Sequence, residues 1–566
     1  MRLIRVNYLK LLSVNSFFIA ILLVLAFELW LVTIASTRVT ILTPEDFLGT
    51  LDKVPLSFWV ALIFIFLGLI FSYQAGKRKL YFVGIGLLIL ALFATFSFIE
   101  PHGRHGMSYS VTGISKAIMT DVYYSPEYNI PWLSIPYMAF KGFPALVTIC
   151  LEIIEIDIEQ MVKYFSTILV FIIASIVYII YQNTEKTEIA ILGLLFFVVC
   201  TRWHLYMVPE GVVYILVLAF LAVLARSAKD TRDCRERFVS SILLIIILFT
   251  VTITHILGAI FLCLVLSINA LMSAVIKARS SWNLVLMSFC IVMGWLIYVA
   301  TSFFEAALPA VVASFESFNR LFHDVTAGVT TQHMSTVRMI TDLTSLLSLT
   351  ILLVFALIGI IGLLIRREYH RYALLIATFL SSGFMTLIPY GGDINIVRTA
   401  FFITIAAPFL GCTFLHKKKT ITYVLLIVFF VVHPIAYSGS STVTVIPTSE
   451  LEATKFFVNV SQKTDNVFYQ SGRGLLWYQD PERAFLYQQF SLWYPPVREF
   501  NINWNFKYLL HGMRDHNGLF YWMETDPVLE EVSRHQEIFN RIYDNNSFWI
   551  FIKTNIKDKY NNSWRV

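Results

Sequence analysis

Glu100 is followed at two, four and five residues by His102, Arg104 and His105. A carboxylate beside imidazoles can accept a proton from an attacking hydroxyl or hold a divalent metal. The same residues also suit a solvated helix end. Asp121, just before Tyr123 and Tyr124, is a second acid, which a turn or a helix cap would equally use. Arg398 closes the run Gly391-Gly392-Asp393-Ile394-Asn395-Ile396-Val397. A guanidinium binds phosphate through a fork of donors, and its competing partner here is Asp393. His255 sits alone inside a long uncharged run, where it suits a polar head group, a metal or a turn closed by backbone carbonyls. Arg202 and His204 lie beside Trp203 and Tyr206, an arrangement that also fits side chains reaching for an interface. Glu210 follows Pro209, where a helix start favours a negative charge. Glu305, Glu316, Arg320, His323, Asp324 and Arg338 fall in one segment. His323 and Asp324 could ligate a metal, though a solvated loop face accounts for the whole set.

Some chemistry lacks its residues. The chain has no phosphate-binding Gly-rich loop of the G-x-x-x-x-G-K-[ST] or G-x-G-x-x-G type, no CxxC and no HExxH, so ATP hydrolysis, thiol redox chemistry and a nucleotide cofactor are not expected.

The elements that must position these groups are membrane helices. Hydrophobic residues make up 57% of the 566 and charged residues only 14%, against roughly a quarter charged in soluble domains. Between Arg237 and Lys277 there is no Asp, Glu, Lys or Arg, and the only His is His255. That length is about twice what one helix needs to cross a bilayer, so it reads as two spans joined at His255. The pattern predicts about thirteen spans, near 14–36, 55–73, 80–99, 161–181, 188–206, 210–226, 238–253, 256–275, 284–303, 344–365, 372–390, 398–415 and 420–437. The first apolar run has a basic start but no small-residue cleavage site, and reads as a retained span.

Lys and Arg crowd alternate short loops: Lys77, Arg78 and Lys79; Arg226 to Arg237; Arg366, Arg367 and Arg371; Lys417, Lys418 and Lys419. This bias places the N-terminus in the cytoplasm and residues 438–566 outside it. The net charge of +6 is spread along these loops, which is no nucleic-acid signal. The six cysteines all precede residue 438, so the tail is not built on disulfides. Outer segments 100–160 and 304–343 are long, which points to function. The Tyr- and Pro-rich stretch Tyr123 to Pro144 reads as interfacial helices, Asp157 and Gln160 as a capping box opening the fourth span, and 304–343 as a mobile loop. In the tail, Asn466 to Tyr469 and Phe548 to Lys553 read as strands, Glu450 to Val460 and Pro527 to Tyr543 as helices. A small α/β domain is expected. Asn459, Asn545 and Asn561 each open a glycosylation sequon.

Several segments together resemble the GT-C superfamily of glycosyltransferases, in its archaeal branch related to oligosaccharyltransferase and protein mannosyltransferases. They are Phe98-Ile99-Glu100-Pro101, the aromatic stretch Tyr128 to Tyr137, Trp203 to Glu210, Thr254-His255-Ile256-Leu257-Gly258, Arg398 with Thr399-Ala400-Phe401-Phe402, and the closing run Asn540 to Phe551. The resemblance implies transfer from a sugar carried on polyprenyl or dolichyl phosphate, at the outer membrane face, to a protein, lipid or surface-glycan acceptor. It implies that Glu100, or Asp121, is the base or metal ligand, that Arg398 holds the donor phosphate with His255 nearby, and that a divalent metal such as magnesium or manganese takes part. Residues 80–437 would form the GT-C-like domain, 1–79 an N-terminal addition and 438–566 the outer domain. Two features depart from the pattern. His105 stands where an early loop Asp belongs, and the tail lacks a Trp-Trp-Asp-Tyr-Gly segment, so oligosaccharyltransferase activity itself is not expected. A transporter or flippase for lipid-linked glycans, or a non-catalytic glycan assembly factor, remains the alternative.

Overall fold

Apolar runs of this length can satisfy their backbone groups in lipid only as helices, and among the described residues each predicted run contains a helix. The computed structural model describes residues 16–39, 48–104, 108–109, 111–113, 115, 140–184, 187–201, 205–227, 234–275, 282–301, 303–305, 336–387, 396–438, 446–462, 467–469, 479, 489–490, 508–512, 532–534, 539–544 and 548–553. Helices α1 (Ser16–Ser36) and α2 (Leu56–Gln74) form a hairpin that packs on α3 (Arg78–Ile99), which contains one wide turn at Leu90–Ala94. A short α4 (Gly142–Glu152) precedes α5 (Ile158–Thr184), α6 (Thr187–Cys200) and α7 (Pro209–Ser227). Then come α8 (Cys234–Thr254), α9 (Ile256–Val275), α10 (Trp282–Tyr298), α11 (Thr336–Ile365), α12 (Ala373–Leu387), α13 (Ile396–Leu415) and α14 (Lys419–Ser438). Among the described residues, eight helices are long and apolar enough to cross a membrane: α1, α2, α3, α5, α7, α9, α11 and α14. The protein is a multi-pass membrane protein.

Burial follows from how the apolar residues are spread around each helix. α6 is apolar on every side and its residues Ile189 to Cys200 are all buried, as expected of a helix with no polar face. It packs against α5, α13 and α14. Three polar groups inside pair across helices: Tyr81 Oη donates to the Ile191 carbonyl at 3.0 Å, Tyr181 Oη to the Ile405 carbonyl at 2.6 Å, and His433 Nδ1 lies 2.9 Å from the Val199 carbonyl. The outer helices instead expose Phe17, Phe238, Leu286 and Val275, the surface that a lipid belt requires. α11 and α13 touch at Gly359, where any Cβ would collide with the Leu410 carbonyl oxygen. Small residues allow such close backbone approach between membrane helices.

Several boundaries differ from the sequence reading. The fifth run stops being helical at Cys200 rather than 206, because Tyr206 to Val208 turn to feed Pro209, the first residue of α7. Residues 336–343 belong to α11 rather than to a loop. Of the Tyr123–Pro144 stretch only Phe140 to Pro144 is described, and α4 begins there at Gly142. In the tail, α15 (Thr448–Val460) packs on a five-stranded sheet of β1 (Val467–Tyr469), β2 (Gln489–Phe490), β3 (Tyr508–Gly512), β4 (Phe539–Asp544) and β5 (Phe548–Lys553), in the order β2-β1-β3-β5-β4. β1 is parallel to β2 and β3, while β5 is antiparallel to β3 and β4. The helix expected over Pro527 to Tyr543 is corrected at its end: Phe539 to Tyr543 form β4, because cross-strand pairing with β5 overrides the helical pattern.

Candidate functional site

One end of the bundle collects most of the described sequence candidates. It is the end at which α3 stops, and α5, α7, α9, α13 and α15 start there. A second apolar cluster closes it, joining Tyr109, Phe143, Val162, Met207, Val208, Ile446 and Leu451 from segments distant in sequence.

Glu100 caps α3 in extended backbone and is 2% exposed. Its carboxylate accepts from Arg104 Nε at 2.8 and 3.0 Å, from Arg104 Nη2 at 2.5 Å and from Thr50 Oγ1 at 2.8 Å. Arg104 Nη1 donates to the Tyr437 carbonyl at 2.9 Å, and the guanidinium lies 4.7 Å from the Phe96 ring and 4.8 Å from the Tyr437 ring. Burial works against the guanidinium's charge, but the Glu100 carboxylate beside it more than offsets this and holds the group protonated above its usual range. The result is a strap from the exit of α3 to the exit of α14. A base role for Glu100 would have to draw on a carboxylate already held by Arg104 and Thr50.

His102 stands at the next shelf. Its Nε2 is 3.2 Å from Thr448 Oγ1, in the first turn of α15, and its Nδ1 is 3.8 Å from Glu159 in the first turn of α5. Burial lowers its pKa, and Glu159 only partly offsets that. With Asp157, Gln160 and Lys163 it lines a cleft of about 400 Å³. Lys163 Nζ reaches the Pro101 carbonyl at 3.4 Å. Gly103 touches the α5 backbone so closely that a Cβ would meet Val162.

The third group unites two residues 45 positions apart in sequence. His255, in the break between α8 and α9, places Nε2 3.5 Å from Oε1 of Glu210, in the first turn of α7. Both side chains are mostly buried, at 12% and 16% exposed. Below them an aromatic stack fixes three helix starts. Tyr214 lies flat on Phe401 at 3.7 Å and Phe261 on Phe402 at 4.0 Å. Glu210 and Tyr214 share one face of α7, four residues apart, and position 398 is one turn before Phe401 on α13. The starts of α7, α9 and α13 therefore meet.

Glu305 is exposed, in the helical turn that follows the end of α10. His105, Asp121, Arg202, His204, His323, Asp324 and Asp393 lie outside the described residues, as does the Arg398 side chain. Among the described residues no cluster of three or more His, Cys, Asp or Glu side chains is placed to hold a metal ion, so the described donors do not by themselves fit a divalent cation. Sequence reasoning missed Thr50, Glu159, Tyr437 and Thr448 as partners. Only the Glu100–Arg104 spacing, four residues apart, carried a local signal.

No protein family matches the chain's sequence, and no curated protein does. Among solved structures the chain is similar to the archaeal oligosaccharyltransferase AglB from Archaeoglobus fulgidus in complex with an inhibitory peptide and a dolichol-phosphate, at 10% identity, 84% of this chain, 74% of that chain and a TM-score of 0.46. It is similar also to the Archaeoglobus fulgidus oligosaccharyltransferase in the apo form (10% identity, 84% and 74% covered, TM-score 0.44) and in complex with zinc and sulfate (11%, 83% and 72%, 0.43). These are likenesses of overall shape and assign no role to any residue of this chain.

Proposed function

We propose that the chain is a membrane glycosyltransferase of GT-C type, which transfers a sugar from polyprenyl or dolichyl phosphate on the outer side of the membrane. The observation that carries the reading is the meeting of three helix starts, α7, α9 and α13, at one membrane end, with Glu210 against His255 and position 398 one turn above Phe401. Helix N-termini present unpaired N–H groups and the positive end of their dipoles, which favours an anion. Arg398 would add a cation that stays charged at physiological pH. The charge bias of the loops supports a cytoplasmic N-terminus, which puts this end and residues 438–566 outside.

A sugar on a lipid phosphate carries its own leaving group, so the site needs a base, a cationic cradle and access from lipid. The acceptor oxygen loses its proton to a carboxylate and bonds to the anomeric carbon. The bond from that carbon to the phosphate oxygen breaks, and its electron pair leaves with the lipid phosphate toward Arg398. With Glu100 tied to Arg104, the acid is Glu210, oriented by His255; Asp121 in the preceding loop is the alternative.

The test is binding of dolichyl phosphate to the full chain in lipid nanodiscs. Arg398→Ala is expected to weaken binding by the worth of one charge-assisted contact, about 1.5–3 kcal/mol. Arg398→Lys recovers part of it, because the planar fork is lost. Equal affinity in both variants and wild type removes Arg398 from a phosphate site.

A further inference from the structure

α1 holds one ionisable residue, Glu28, in an otherwise apolar helix. The helix packs on α2 and α3 through Ile19, Leu22, Leu23, Ala26, Trp30 and Thr33. Glu28 is on the other side and exposed, and among the described residues nothing bonds to it. Eight residues separate it from Ser36 and twelve from Ser16, which places it roughly 12 Å and 18 Å from the two ends. In a hydrocarbon core of about 30 Å that is well inside. The Cα–Cβ bond leans toward the helix N-terminus, away from the nearer surface, so the short side chain cannot reach the head groups. A carboxylate facing lipid at that depth is costly, and such groups normally face a partner or a cavity.

The surface around it is ordered for helix packing. Phe17, Ile21, Val24, Glu28 and Leu31 follow one another at spacings of four, three, four and three, and all are exposed. That spacing suits a seam of one helix against another, on a helix that also exposes Phe18, Leu25, Phe27 and Val32, with the acid at a single position within it. The chain's own apolar runs carry no Lys or Arg at this depth. A second copy would therefore bring only another Glu28, not a balancing charge. We propose that this seam of α1 docks a transmembrane helix of another membrane protein that carries a Lys or Arg at mid-depth, which pairs with Glu28. The seam faces away from α2 and α3, so the contact is independent of the glycosyltransferase reading.

A photoreactive benzoylphenylalanine in place of Val24, in the full chain expressed in its own cells, tests this. The expected adduct is a membrane protein whose span contains Lys or Arg. Its yield should fall roughly tenfold or more in Glu28→Leu, since one member of a desolvated pair is gone. It should return when Glu28→Lys is combined with a Glu at the partner's basic position. Glu28→Leu faces lipid and should remain monodisperse on gel filtration; Glu28→Gln, closest in shape, is measured beside it so that loss through misfolding is recognised by loss of the monodisperse peak. An adduct only to lipid or to a second copy overturns the proposal, as does an undiminished adduct in both variants.

Discussion

Removing the charge of Glu100 leaves the Arg104 guanidinium buried between two aromatic rings with nothing to balance it. Breaking a buried pair from one side costs about 3–5 kcal/mol. Glu100→Gln should therefore lower the thermal midpoint of the detergent-solubilised protein, and the same midpoint in variant and wild type would show that the strap bears no stability. His102 adds a pH dependence. Its folded pKa lies below the ordinary 6.5, so in the window beneath that value the unfolded chain binds the proton more readily. The stability from keeping His102 neutral is present above pH 6.5 and is lost as the pH falls through the lowered pKa. Midpoints measured at pH 8 and pH 5.5 should show less loss on acidification in His102→Gln than in wild type; an equal loss in both assigns the acid sensitivity elsewhere.

At the scale of elements, the contact between α11 and α13 rests on the absence of one side chain. Gly359→Ala forces a Cβ into the Leu410 carbonyl, and overpacking of this kind costs about 1–3 kcal/mol. Gly362, one turn fraction further along the same helix, has open space where its Cβ would go. Gly362→Ala is therefore the matched control: yield and thermal midpoint should drop in the first variant and hold in the second. Matching behaviour in the two would mean that the helices do not approach as closely as Gly359 requires. α13 matters beyond stability, because it carries position 398 toward α7 and α9 through the Tyr214–Phe401 and Phe261–Phe402 stacks.

For the molecule as a whole, the decisive quantity is which side the site-bearing end faces. Asn459 is exposed on α15. With the six native cysteines replaced, Asn459→Cys should react with a membrane-impermeant thiol reagent on intact cells. Reaction only after lysis would invert the orientation and with it the outer-face donor reading.

The amino-acid sequence by itself determined that this is a bundle of membrane helices, and nearly where each begins. That information is local: a run of apolar residues bounded by charge has one solution in lipid, and Gly, Pro and Lys or Arg mark its ends. Helix α6 could be read off, but not its place at the centre, since periodicity reports which faces are apolar and not what covers them. The same limit governed the site. Glu100, His255 and Glu210 were legible as isolated ionisable groups near helix ends, and their partners were not. Arg104 stood four residues from Glu100, yet Thr50, Tyr437 and Thr448 come from distant segments that only packing brings together. Tertiary structure turned Glu100 from a free acid into half of a strap, and His255 and Glu210 from two helix-end residues into a pair. The reason is physical: a charge near a membrane helix end is settled by whichever opposite group the fold delivers within hydrogen-bond reach, and long-range contacts decide that delivery.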